Sequence, residues 1–295
     1  MDICSLCPRN CKVDRQKSQG FCGCFSLPNI ARIGLHHYEE PPISGTNGSG
    51  AIFFSGCNLR CVFCQNVPLR DSSFGEQFDQ IKLADAMLEL QDMQAHNINL
   101  VTPTPHIKTI SKALTVAKKR GLTIPIIYNT NAYLTDEALS MLSGLIDVYL
   151  PDLKYKSTEL SKRFSGAENY FDNAITAIST MRQQVGNLTL DQNGLVSKGV
   201  LIRHLVLPGC TFDTRDILDE ILARFNSDAY ISLMRQYTPT SGLCAPLNRR
   251  LTDREYQGCI DYCVALGLNN VFLQDKESAS FKYTPQFSNK VVISK

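Results

Sequence analysis

No stretch of the sequence approaches the roughly 18 consecutive apolar residues that a membrane span needs, so no spanning helix is expected. The start, Met1-Asp2-Ile3-Cys4, has neither a basic run nor an apolar core, and a secretory leader is not expected there. Charge of one sign is not in excess: 30 basic against 28 acidic side chains leave a formal net charge of +2. A nucleic-acid surface needs clustered positive charge and is not expected. Internal repeats and low-complexity tracts are missing too, which excludes solenoid and disordered architectures. The expected location is the cytoplasm, with neither membrane nor nucleic acid as partner. What is left is an ordinary globular composition. The 295 residues are 43% hydrophobic and 20% charged, enough for a buried core in two domains or one large α/β domain.

Cysteine is the residue in excess. There are 12, and Cys4, Cys7, Cys11, Cys22, Cys24, Cys57, Cys61 and Cys64 all lie near the start. A disulfide scaffold explains such density in a short secreted chain. In a long chain without an export signal, clustered cysteines point to metal or redox chemistry.

The chain reads as three parts. Residues 1–50 form a cysteine-rich, metal-binding extension with a Pro41-Pro42 pair, a glycine-rich run and few periodic apolar segments. Such a stretch needs staples, and metal is one kind. Residues 51–275 form the core and 276–295 a tail. In the core, strands are expected at Ala51-Ser55, Asn97-Thr102, Ile124-Asn129, Leu145-Leu150, Val200-Leu205, Tyr230-Met234 and Asn270-Leu273. Helices are expected at Gln80-Gln94, His106-Arg120, Thr135-Leu142, Asn169-Gln184, Thr214-Phe225 and Asp253-Leu266. Thr252 with Glu255 marks a helix start, and Gly121 and Gly267 mark helix ends. This alternation predicts parallel βα units and an α/β fold. A Rossmann sheet needs a glycine-rich turn after an early strand. The turn here is Gly56-Cys57-Asn58-Leu59-Arg60-Cys61, and polar residues stand at nearly every strand end. A partial TIM barrel of about six βα units is therefore expected, with one site at the strand ends.

Cys57-x3-Cys61-x2-Cys64 follows the first core strand directly. Three thiolates in a tight loop can hold three irons of a cubane and leave the fourth open. A zinc knuckle that takes a fourth ligand elsewhere uses similar spacing. The strand before the triplet and the βα chain after it favour the cluster.

Cys-x3-Cys-x-aromatic-Cys in this setting, carried by Cys57, Cys61, Phe63 and Cys64, resembles the radical S-adenosylmethionine (SAM) superfamily. Within it, the chain is similar to the pyruvate formate-lyase-activating-enzyme-like proteins of the PflX-like branch. That resemblance rests on Cys4-x2-Cys7-Pro8-Arg9-x-Cys11, Gly20-Phe21-Cys22-Gly23, Glu39-Glu40-Pro41-Pro42, Tyr128-Asn129-Thr130-Asn131, Asp152-Leu153-Lys154 and Arg203-His204-Leu205-Val206-Leu207-Pro208-Gly209. It implies a 4Fe-4S cluster on Cys57, Cys61 and Cys64, with SAM chelating the open iron. Reductive cleavage of SAM would give methionine and a 5′-deoxyadenosyl radical that takes hydrogen from substrate. It also implies an electron donor such as a flavodoxin or ferredoxin.

The resemblance places further cofactor contacts at strand ends. Asn129, Asn131 and Lys154 line the expected SAM pocket, and Lys154 suits the SAM carboxylate. Related proteins carry a Gly-Gly-Glu stretch after the second strand. This chain has Thr102-Pro103-Thr104-Pro105 instead, so Thr102 and Thr104 either offer their oxygens to SAM or simply open the next helix. Arg203 and His204 are adjacent on a strand, so only one of them can face inward. By resemblance it is His204 that touches SAM, although a lone histidine is often structural.

Cys4, Cys7, Cys11 and Cys22 are the expected ligands of a second metal site, with Cys24 spare. Zinc, an auxiliary iron–sulfur cluster and plain reduced cysteine remain alternatives. The functional expectation is a radical SAM enzyme acting on a protein or peptide, as a glycyl-radical activase for example. A small-molecule substrate is the first alternative, and a non-enzymatic metal-binding module the second.

Overall fold

In a computed structural model, residues 3–70, 72–280 and 285–294 are described. The elements in chain order are β1 (Asn29–His36), α1 (Pro41–Ser44), β2 (Ser49–Phe54), β3 (Glu76–Gln77), α2 (Gln80–Asp92), β4 (Ile98–Val101), α3 (Ile107–Lys119), β5 (Ile126–Thr130) and α4 (Asp136–Ser140). They continue with β6 (Val148–Pro151), α5 (Thr158–Ser165), α6 (Tyr170–Val185), β7 (Thr189–Leu190), β8 (Val196–Leu205), α7 (Thr211–Phe225), β9 (Tyr230–Met234), α8 (Asp253–Ala265), β10 (Val271–Leu273) and β11 (Ile293–Ser294). Each strand and helix expected in the core is present, with bounds shifted by at most four residues. The helix signals hold locally. Thr252 and Glu255 form a reciprocal capping box on α8. Gly121 and Gly267 stand just past α3 and α8 at positive φ.

The fold is α/β, built on an open and mostly parallel sheet. Strands β2, β4, β5, β6, β8, β9 and β10 lie side by side in chain order and run parallel. The order never reverses. Right-handed crossovers then keep advancing in one direction and put the helices on one face.

The two-residue period of the strands sorts their side chains. Ile52, Phe54, Leu100, Tyr128, Tyr149, Ile202 and Leu233 pack in one large core with the helix residues. The alternate positions face the other way. Val148, Leu150, Ile127 and Leu201 join Ile43 of α1 in a second cluster, and Ala51, Phe53 and Val101 join Leu69 in a third. Burial on both faces explains why these strands read as nearly continuous apolar runs.

Strand β1 lies within the first 50 residues, where no strand is expected from the sequence. It pairs antiparallel with β2, buries Ile30 and Ile33, and extends the sheet beyond the parallel strands. Strand β11 adds to its other side in parallel. Flanking cysteine, proline and glycine residues hide the alternation of β1 in the sequence. Among the described residues, no helix is long and apolar enough to cross a membrane.

Candidate functional site

In open α/β sheets, ligands bind at the carboxyl ends of parallel strands. A cavity of about 270 Å³ lies at that place here. The loop after β2 carries Cys57, Cys61 and Cys64, and all three line it. Gly56 makes the loop possible. It sits at φ +88°, and the sulfur of Cys24 and the carbonyl of Cys22 occupy the space a Cβ would need. The aromatic residue of the motif is an anchor. Phe63 packs edge-on against Tyr155, Phe164 and Tyr237, with centroids 6.1–6.4 Å apart.

Two of the three sulfurs meet specific neighbours. The Ser165 hydroxyl donates to Cys61 Sγ at 2.9 Å. The Leu59 amide donates to Cys57 Sγ at 3.5 Å, and Asn131 Nδ2 lies 3.7 Å from the same atom. Asn131 Nδ2 also donates to Asn58 Oδ1 at 2.8 Å, tying the end of β5 to the cysteine loop. Arg9 Nε holds the Asn58 carbonyl at 2.9 Å. Burial pushes the Cys61 thiol up and the Cys64 thiol up to about 12. Without metal such thiols stay protonated, and coordination would remove the proton.

Among the described residues, no three side chains of Cys, His, Asp or Glu converge tightly enough to hold a single ion. The thiols of Cys57, Cys61 and Cys64 instead line one cavity together. The donor set of three thiolates, with hydrogen bonds to two of the sulfurs, fits an iron–sulfur cluster.

Asn129, Asn131, Lys154, Thr102 and Thr104 line the same cavity. Lys154 Nζ pairs with Asp152 Oδ2 at 2.6 Å. Burial opposes the charge on Lys154, and the Asp152 carboxylate outweighs it, so its pKa lies above the ordinary range. Tyr170 locks this strand end. Its hydroxyl donates to the Asp152 carbonyl at 2.6 Å and accepts from the Lys154 amide at 3.1 Å. Thr102 adopts φ +61°, an uncommon conformation for a β-branched residue. Thr104 Oγ1 lies 3.0 Å from Thr130 Oγ1. Thr104–His106 forms a short 3-10 turn leading into α3, so the threonines both border the cavity and open the next helix.

His204 is a correction. It points away from the cavity, into the helix-facing core. Nδ1 is 2.7 Å from the Leu153 carbonyl and Nε2 2.9 Å from Thr214 Oγ1. Burial pushes its pKa down to about 4, so it is a neutral structural residue. Alternation along β8 turns Arg203 inward instead, where it lines the cavity. Its guanidinium meets Glu39 and Glu40, which follow β1. Sequence reasoning missed Ser165, Tyr170 and this charged cluster. The motif Glu39-Glu40-Pro41-Pro42 was the available signal for the last.

The N-terminal thiols lie beside the cysteine loop. The Cys7 thiol is pushed up to about 11 by burial. Cys22 is drawn down to about 6 by the Cys24 thiol first, with Arg15 assisting. Cys24 Sγ lies 3.5 Å from the Cys22 carbonyl and 3.6 Å from that of Ser55. Cys11 Sγ accepts from the Phe21 amide at 3.3 Å. Cys4, Cys7, Cys11 and Cys22 do not close a single-ion shell among the described residues.

The model of the Radical SAM superfamily matches residues 51–221, more than half of the chain and the segment that carries the three cysteines. The chain belongs to the radical SAM superfamily. Uncharacterized protein MJ0674 of Methanocaldococcus jannaschii is 30% identical over 281 residues, covering 91% of this chain and 76% of that protein. Solved structures share the fold at low identity. SuiB of Streptococcus suis bound to S-adenosylmethionine matches with TM-score 0.53 and 14% identity, over 80% of this chain and 56% of that one. Methylornithine synthase (PylB) matches with TM-score 0.51 and 13% identity, over 96% and 74%. HydG, a maturase of the [FeFe]-hydrogenase, matches with TM-score 0.52 and 14% identity, over 97% and 59%. The chain spans about half the length of the SuiB chains it matches. Membership of the superfamily implies an enzyme that uses a 4Fe-4S cluster and SAM.

Proposed function

We propose that this radical SAM protein reductively cleaves SAM at a 4Fe-4S cluster held by Cys57, Cys61 and Cys64, and takes a hydrogen atom from a protein or peptide substrate. The observation that carries the reading is the single cavity that gathers these three thiols with the polar strand ends of β5 and β6. When bound, the cluster supplies the electron that splits SAM and so the radical that abstracts hydrogen. The chain's own residues orient and shield. Ser165 and Asn131 donate toward sulfur, which favours the thiolate forms that bind iron. Lys154, held by Asp152 and Tyr170, presents a fixed ammonium that suits the SAM carboxylate. Thr102, Thr104 and Asn129 offer the polar atoms for the rest of SAM in place of the missing glutamate. The parallel strands form a partial barrel around this cavity in our reading, and the protein is an activase-like member of the PflX-like branch. Five thiols within residues 4–24 support a second metal site, zinc or an auxiliary cluster.

A small-molecule substrate is the second reading. It is favoured by the modest cavity and its charged interior, where Arg203 meets two glutamates. The test is release of 5′-deoxyadenosine by reconstituted, reduced protein. Release that rises with added polypeptide supports the first reading, and release that rises only with metabolites supports the second. No release from a fully loaded cluster overturns both.

A further inference from the structure

Glu39 and Glu40 follow β1, whose His36 is paired with Ser49 at the amino end of β2. The cysteine loop follows the carboxyl end of the same strand. The two glutamates therefore enter the cavity from the end opposite the proposed cluster. Arg203 reaches them from β8, with Nε on Glu40 Oε1 at 2.9 Å and Nη2 on both carboxylates. Asn99, fully buried on β4, donates to Glu39 Oε1 at 2.9 Å. Glu39, Glu40 and Arg203 all line the cavity.

Two carboxylates against one guanidinium leave one negative charge over. Nearby cations do not cancel it. Lys154 is taken by Asp152. Arg32 turns its guanidinium to the Gln286 carbonyl. Burial lowers the pKa of His36 and disfavours its imidazolium, although Glu39 opposes this. The other end of the cavity carries Arg60 and Arg70 beside the cysteines, so the cavity is polarised along its length. A buried uncompensated charge is costly, and a ligand that neutralises it binds with that cost relieved. A second observation points the same way. Arg203 is only 8% exposed, and its Nη1 makes no hydrogen bond among the described residues. It is a held donor edge that awaits an acceptor. A carboxylate there would leave the surplus charge larger, so the acceptor that suits it is a neutral oxygen.

We infer that Glu39, Glu40 and Arg203 form a substrate subsite for a monocationic amine, with the ammonium on the glutamates and a neutral oxygen of the same ligand on Arg203 Nη1. The inference rests on the reading of this cavity as a SAM-cleaving site and adds the chemistry of its substrate. The amine is either a free metabolite or a lysine side chain entering with a neighbouring peptide oxygen.

The test is equilibrium titration of iron-loaded, full-length protein in the presence of SAM. The probes are an isosteric set: 5-amino-1-pentanol, 1,5-pentanediol and 5-hydroxypentanoate. A pentapeptide with one central lysine and the same peptide with Nε-acetyllysine complete it. The amine is expected to bind about tenfold tighter than the diol or more, and the hydroxypentanoate most weakly. A preference seen only between the two peptides also supports the subsite and assigns the amine to a protein side chain. Glu39→Gln, which keeps the shape and removes the charge, is expected to erase the preference. Equal binding of amine and diol, tighter binding of the hydroxypentanoate, or no binding of any probe overturns the subsite. SAM cleavage measured on the same preparation separates the two claims. Cleavage without amine preference leaves the radical reading intact, and amine preference without cleavage leaves only the subsite.

Discussion

At the residue scale, the decisive question is which side chains touch the reaction and which only hold the strands. Lys154 is proposed for the first group. Lys154→Ala is expected to weaken SAM binding about tenfold or more while iron content stays unchanged, because the ammonium faces the cavity and no sulfur bonds to it. Equilibrium binding of SAM beside iron analysis checks this. His204 belongs to the second. His204→Ala is expected to cost about 2 kcal/mol of stability, since it strands the buried Leu153 carbonyl and Thr214 hydroxyl. SAM affinity should not change, and a denaturant melt with a SAM titration reads both. The superfamily was legible because the spacing of the cysteine triplet is so specific, and the family model over residues 51–221 agrees. The choice between Arg203 and His204 was not legible. Adjacent strand residues face opposite ways, and nothing local says which face is the cavity. Ser165 and Tyr170 were hidden for another reason. They reach the site from helices, and Ser165 stands 104 residues from the sulfur it bonds.

At the scale of elements, the βα alternation was legible because each parallel strand is buried on both sides and each helix carries an apolar face. Strand β1 was not. Its partner β2 supplies the reason for its conformation, and pairing across sequence is invisible in composition. Helix α5 was hidden in the same way, a short element with four buried residues whose ends are set by Ser157 and Gly166. The N-terminal segment ahead of β1 leans on the cysteine loop through Arg9 and through Cys22 and Cys24 at Gly56. If it is a metal-stapled unit, Cys7→Ala should release its metal and expose the segment to limited proteolysis ahead of β1, with the central iron retained. Metal analysis and mass spectrometry of the fragments check this outcome. Loss of the central iron as well would show that the two sites stand or fall together.

At the scale of the molecule, the protein is one mostly parallel sheet with α2 to α8 packed in its large core and a cavity at the strand ends. Two buried neutral histidines set part of its pH response. Burial pushes His106 down to about 3 and His204 to about 4, below the ordinary value of 6.5. The unfolded chain therefore takes up these protons first as pH falls. Their contribution to stability should be flat above pH 6.5 and decline between 6.5 and about 4, by roughly 1 kcal/mol per pH unit for each group. Thermal melts across that window, compared with His204→Gln, check the slope.

Cys57, Cys61 and Cys64 are proposed to hold a cluster that binds SAM. Electron paramagnetic resonance of reduced, reconstituted protein tests it most directly. Wild type with about four irons per chain at this site should show a reduced-cluster signal that changes on addition of SAM, and the triple variant Cys57→Ala, Cys61→Ala, Cys64→Ala should lose that signal. A signal indifferent to SAM, a signal that survives in the triple variant, or wild type that takes up no iron would contradict the account.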